Sequence, residues 1–180
     1  MMPEPTQYTF RRAALDDLLF VVSWARSAEE LRYVFPRAAW PAETLQLVEH
    51  LASHEESFVV CDQNRVVGFA NLYNPRAQKT WIGHFIVHPD HRRSGVAHFL
   101  ICALQTIAKE RYQSHTLATI CFESNPIGLA FYQRLGFTIA GWETRLDHRA
   151  EGAKVFRLEK ILDEIEASSE RTLRSHAEQH

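Results

Sequence analysis

Residues 92–97 read Arg-Arg-Ser-Gly-Val-Ala, and they join an apolar run ending in His88-Pro89 to a long stretch with apolar positions at Val96, Leu100, Leu104 and Ile107. A helix that opens directly out of a short basic loop is an anion site. Its first backbone N–H groups have no internal acceptors, and the aligned peptide dipoles add positive potential there. Gly95 and Ala97 are small enough for a phosphate to approach the main chain, and Arg92 and Arg93 add fixed charge. The implied ligand is a phosphate or pyrophosphate. The glycines and lysine of a nucleotide P-loop, and the glycines of a dinucleotide-binding turn, are absent. Taken alone, the loop equally admits a helix start eased by Gly95 with two solvated arginines.

A second constellation follows, with Asn125, Tyr132 and Gly136-Phe137 around an apolar helical stretch that begins at Pro126. Together the two segments resemble the GNAT superfamily of acyl-CoA-dependent N-acyltransferases. Arg92-x-x-Gly95-x-Ala97 fits its Q/R-x-x-G-x-G/A pyrophosphate loop, placed after a strand and a proline. Asn125 to Phe137 fits N-x-x-A-x-x-x-Y-x-x-x-G-F, with Gly128 standing where the family usually has alanine. The resemblance extends over the element order from Tyr8 to Glu159, leaving out only the C-terminal tail.

The resemblance implies a mostly antiparallel sheet with helices on both faces and acetyl-CoA held between splayed parallel fourth and fifth strands, here residues 82–87 and 117–122. It implies that the backbone at Ile86 and Val87 bonds the pantetheine arm. The loop from Arg92 and Arg93 through Ser94, Gly95, Val96 and Ala97 would hold the pyrophosphate, and Asn125 would bond the pantetheine. Tyr132 would stand near the sulfur as general acid, a fitting role for a phenol whose ordinary pKa is about 10. The implied reaction is direct attack of a neutral amine on the thioester. Plainer roles stay open: Tyr132 as an aromatic packed with Phe131 and Phe137, Asn125 as a helix N-cap.

The attacking amine must lose a proton. Glu123, just past the fifth strand, and His84, mid-strand before the cofactor-contacting residues, are the candidate bases. His88, His91 and His98 lie close together but lack zinc spacing, so no metal is expected. The resemblance puts specificity in the first helices and the last hairpin. There Glu29, Glu30, Tyr33 and Trp40 form a candidate acceptor surface, suited to a cationic amine by charge and by cation–π contact. Arg32 and Arg37 leave open an acceptor that also carries a carboxylate.

The pattern of apolar residues predicts the elements that position these groups. Period-2 runs at 8–12, 57–62, 65–73, 79–87, 117–122, 137–147 and 152–159 read as strands, with Gln63-Asn64 as a hairpin turn. Helical stretches are predicted from Asp16 through Ala25, from Pro41 through Leu51, over 95–114 and over 126–135. Three consecutive strands in mid-chain exclude a simple alternating fold and imply an α+β class with a mixed sheet. Residues 1–160 are expected to form one domain, and 161–180 a polar tail with a weak helical stripe at Ile161, Leu162 and Ile165.

The 180 residues carry 20 Lys+Arg against 22 Asp+Glu, a net charge of −2 that speaks against a nucleic-acid binder. The apolar runs fall far short of the about 20 residues that cross a bilayer, and no targeting segment is visible, so a cytoplasmic protein without membrane partners is expected. Cys61, Cys102 and Cys121 read as reduced core thiols. The oligomeric state, monomer or homodimer, is open. The expected function is an acetyl-CoA-dependent N-acetyltransferase acting on a primary amine of a small molecule or peptide. The competing expectations are a non-catalytic acyl-CoA-binding module on the same fold and an unrelated phosphate binder.

Overall fold

Alternation along β2 (Ser57–Asp62) sets the plan of the molecule. Phe58 and Val60 face one buried layer, Val59 and Cys61 the other, so this strand must lie between two covers. A computed structural model describes residues 8–54, 56–76 and 78–162. It shows one seven-stranded sheet containing β1 (Tyr8–Arg12), β2, β3 (Arg65–Arg76), β4 (Lys79–Val87), β5 (Thr116–Phe122), β6 (Thr138–Leu146) and β7 (Gly152–Ile161), ordered β1-β2-β3-β4-β5-β7-β6. Every neighbouring pair is antiparallel except β4 with β5, the expected α+β arrangement.

Helices α1 (Leu15–Val21), α2 (Ala28–Val34) and α3 (Thr44–Ala52) cover one face of β1–β4. Helix α4 (Val96–Glu110) crosses the other face, and α5 (Pro126–Arg134) packs beside β5. The α4 stripe of Val96, Leu100, Ile101 and Leu104 is fully buried; each leucine removed from water contributes about 2 kcal/mol. No helix among the described residues is long and apolar enough to cross a membrane.

Several expectations need correction. The aromatic segment after α1 contains a helix of its own, α2, capped by Ser27 and Glu30. Pro41 does not open the next helix; it follows Trp40 through a cis peptide bond, and α3 starts at Thr44. Leu15 and Leu19 are exposed, because α1 ends at Val21 and turns only Leu18, Val21 and Asp17 inward. Cys102 is an exposed thiol on the outer side of α4, whereas Cys61 and Cys121 are buried. The last strand takes in Ile161, and the Leu162 N–H donates to the His115 carbonyl. Ile165 and the rest of the predicted tail lie outside the described residues.

Candidate active site

The parallel pair β4–β5 is bonded only where Lys79, Thr80 and Trp81 face Thr116, Leu117 and Ala118. Beyond that point the strands part, the splay that the resemblance implies. Thr119 sits in the crotch, and its buried hydroxyl donates to the Ile82 carbonyl at 3.3 Å. On its other side β4 is held by β3, with Ile86 facing Phe69 and Val87 facing Gly68. The His88 N–H donates to the Val67 carbonyl. Strand alternation then turns the Ile86 polar groups toward β3 and those of Phe85 and Val87 toward the open edge. The main-chain groups that face the open edge are therefore those of Phe85 and Val87, while the expected Ile86 is engaged by β3. The shift starts at His84, whose φ of 47° makes a bulge in β4.

The loop after β4 is built as an anion cradle. Arg93 and Gly95 have φ of 62° and 94°, so successive N–H groups curl to one side before α4 begins. No side chain caps that helix start, and a Cβ on Gly95 would meet nothing within 4 Å. The loop is braced from outside by Tyr8, whose hydroxyl donates to the Ser94 carbonyl at 2.8 Å, and by the Ser94 hydroxyl on the His91 carbonyl. The helix start is therefore left open to an anion, with space over Gly95 and no side-chain cap.

Arg92, expected at the cofactor, is engaged by a carboxylate. Its guanidinium forms a bidentate pair with Glu30, at 2.7 and 3.0 Å, and Glu30 also accepts the Arg26 N–H. The arginine holds the Glu30 carboxyl below its usual pKa. Glu30, expected to meet an acceptor, instead closes the α2 cap and grips the loop between β4 and α4.

Tyr132 lies on α5 among Phe85, Phe131 and Phe137, with its hydroxyl beside that of Thr119 at the crotch. Burial pushes the phenol well above its ordinary pKa, so it is protonated at neutral pH. Asn125 caps α5, its Oδ1 accepting the Gly128 N–H at 2.9 Å. A Cβ at 128 would come within 2.5 Å of Asn125 Nδ2, and glycine there lets the asparagine fold back over the helix start.

Glu123 follows β5 at the open end of the splay, half-exposed and paired with Lys154 at 2.7 Å. His84 is placed differently. Its Nδ1 meets Asn71 Oδ1 at 2.9 Å and its Nε2 meets His50 Nε2 at 3.0 Å, with Phe35 against the ring. Burial, reinforced by His50 and His54, pushes it down to about 3, which keeps it neutral.

The two segments expected to set specificity do meet. Glu29, Arg32 and Trp40 face Ser124, His148 and Arg149 across a cleft of about 320 Å³. Tyr33 stands behind it, its hydroxyl 2.6 Å from both Glu29 Oε1 and the Ser124 carbonyl, its ring against Phe122. The sequence reading missed the main-chain groups of Phe85, the Thr119 hydroxyl and the gathering of His50, His54 and His84.

A sheet that withholds its central hydrogen bonds beside an uncapped, glycine-opened helix start is a groove suited to an extended, phosphate-bearing ligand. Residues 21–137 match the model of the Acetyltransferase (GNAT) family, and the chain belongs to that family. It is an acetyl-CoA-dependent N-acetyltransferase. The fold is shared with spermidine N-acetyltransferase from Vibrio cholerae, solved with CoA and spermine: 22% identity, TM-score 0.71, 88% of this chain and 97% of that one. A GNAT-family acetyltransferase from Bacillus anthracis gives 14%, 0.72, 88% and 96%. For yncA from Salmonella typhimurium, solved with its cofactor acetyl-CoA, the values are 18%, 0.64, 89% and 96%. No curated protein matches the chain in sequence.

Proposed function

We propose that the chain acetylates a primary amine of a small molecule or peptide that enters the cleft between α2 and the β6–β7 turn, and that the acceptor also carries a carboxylate. The observation that carries this is the composition of the cleft. Glu29 supplies one negative group for an ammonium, while Arg32 and Arg149 supply two guanidinium groups. Arg32 lies over Phe122 at 5.4 Å with its buried Nε unpartnered. Two cations in the wall disfavour a polyamine of the kind named for the Vibrio cholerae protein and favour an amino acid or a peptide terminus.

Acetyl-CoA supplies the activated acetyl group as a thioester. The N–H groups from Arg93 to Ala97 hold its pyrophosphate, and the open-edge groups of Phe85 and Val87 orient its amide-bearing arm, with Asn125 Nδ2 beside them. Glu123 takes the ammonium proton through water at the open end of the splay. Tyr132, kept protonated by burial, gives its proton to the departing sulfur, while Thr119 fixes its hydroxyl. His84 has its Nε2 lone pair engaged by His50 and so is not free to act as the base.

Thiol release from acetyl-CoA, measured over a panel of amino acids, short peptides and polyamines, tests this. Turnover with carboxylate-bearing amines and little with polyamines is expected; the reverse preference refutes the assignment of the cleft. Tyr132→Phe is expected to bind acetyl-CoA normally while turnover falls by about 10²–10⁴-fold. Unchanged turnover in that variant removes Tyr132 as the acid. Tight acetyl-CoA binding with no turnover on any amine would favour the binding-module alternative.

A further inference from the structure

His50 and His54 stand four residues apart at the end of α3, and the β4 bulge brings His84 against them. The three rings form a nearly equilateral triangle, with centroids 4.9, 5.0 and 5.2 Å apart and each plane turned 73–76° from the next. One ring nitrogen from each lies within 4.8 Å of those from the other two. We propose that these three histidines bind a divalent transition-metal ion of the zinc or copper type, tying the end of α3 to the bulge of β4.

The hydrogen bonds around the triangle set the ligand atoms. The His54 Nδ1 meets the His50 carbonyl at 2.9 Å. A carbonyl only accepts, so that nitrogen carries the hydrogen and Nε2 keeps its lone pair. His84 Nδ1 is held in the same way by Asn71 Oδ1, from a side chain that is completely buried, and its Nε2 lone pair points at His50. Acceptors bonded in this way to the far ring nitrogen orient ligating histidines in metal sites. His50 is exposed and gives its Nε2 lone pair by moving that hydrogen to Nδ1 through solvent. No proton is released overall, and the ion exchanges three bound waters for three imidazoles.

The fit needs small movements. Two nitrogens on a tetrahedral zinc ion at about 2.1 Å stand about 3.4 Å apart. The 3.0 Å between His50 and His84 therefore opens by a few tenths of an ångström while His54 closes in. Three neutral nitrogens exclude calcium and magnesium, which want oxygen donors, and the Irving–Williams order ranks copper(II) above zinc. The Arg37 guanidinium is the cation that acts on His50, and it opposes a metal ion there.

The test is calorimetric titration of Zn²⁺ into the full chain, purified without a polyhistidine tag, with Co²⁺ absorption as a second readout. One ion per chain and a visible d–d band from low-coordinate cobalt are expected. His50→Gln and His54→Gln, each checked for a native circular dichroism spectrum and normal acetyl-CoA binding, should weaken zinc by about tenfold or more. His98→Gln and His148→Gln should leave it unchanged. Absence of stoichiometric zinc binding, or binding that survives both His50→Gln and His54→Gln, overturns the proposal. Because acetyl-CoA binding is followed separately, failure here is distinguishable from failure of the acetyl-transfer reading.

Discussion

A methyl group added at Gly68 would stand 2.8 Å from Val96 Cγ1, 3.4 Å from Val60 Cβ and 3.6 Å from Leu100 Cδ2. Carbon atoms pack comfortably at about 3.5–4 Å, so Val96 would have to recede by roughly 1 Å. It has little freedom to do so, being β-branched, fully buried and the first residue of α4. Gly68→Ala therefore lifts the start of α4 from β3, at a cost of about 1–3 kcal/mol, and displaces the N–H groups proposed to hold pyrophosphate. Val96→Ala alone should cost about 2 kcal/mol in lost burial. It also deletes the atom that the new methyl strikes. Urea unfolding of both single variants and the double variant, with calorimetric acetyl-CoA binding on each, measures the coupling. The double variant is expected to be more stable than the summed single effects predict by at least about 1 kcal/mol, with part of the acetyl-CoA affinity lost in Gly68→Ala restored. Additivity within about 0.5 kcal/mol would refute the claim that this contact seats the helix.

Three further outcomes are expected. Gly95→Glu, at a φ of 94° with open space beyond, should lose about 1–2 kcal/mol of stability and all measurable acetyl-CoA binding, while Gly95→Ala should show the same stability loss and keep part of the affinity. Asn125→Ala should cost about 1 kcal/mol in chemical unfolding; Gly128→Ala should stabilise that variant by a few tenths to 1 kcal/mol and do less in the parent, where the new methyl displaces the cap. The Asp17 carboxyl, gripped by Arg11 at 2.6 and 2.9 Å, has its pKa lowered from 3.8 in the folded chain. Its stabilisation is complete above that unfolded value and disappears as pH falls through the folded one, so Asp17→Asn should flatten the stability profile below about pH 4 and leave its slope near neutrality unchanged.

The strands were legible because burial on two faces forces period-2 patterns that turn residues then cut. The expected 8–12, 57–62 and 79–87 are the observed β1, β2 and β4. The cofactor loop was legible because its geometry demands glycine at one position. Helix α2 was hidden in an aromatic run, although Ser27 and Glu30, three apart, were a readable capping signal. The shift from Ile86 to Phe85 could not be read, since it depends on the left-handed conformation of His84, a residue with no special claim to it. The partnership of Glu30 with Arg92 was equally invisible, because opposite charges 62 positions apart in the chain carry no pairing code. His50 and His54 had readable helical spacing; their third companion came from a strand that only the tertiary fold brings near.

The three residue pairs that join β4 to β5 have a mechanical consequence. Four strands with α1–α4 form one half and three strands with α5 the other, their sheets joined by three residue pairs pinned by Thr119 and their side chains by one core in which Leu100 and Leu104 are buried with Leu117 and Leu158. The hydrogen-bonded ladder is therefore thin at the groove even though the packing beneath it is continuous. Amide exchange near Trp81 and Ala118 would report loosening of the short ladder that closes the donor groove, well before exchange in the interiors of β2 and β7.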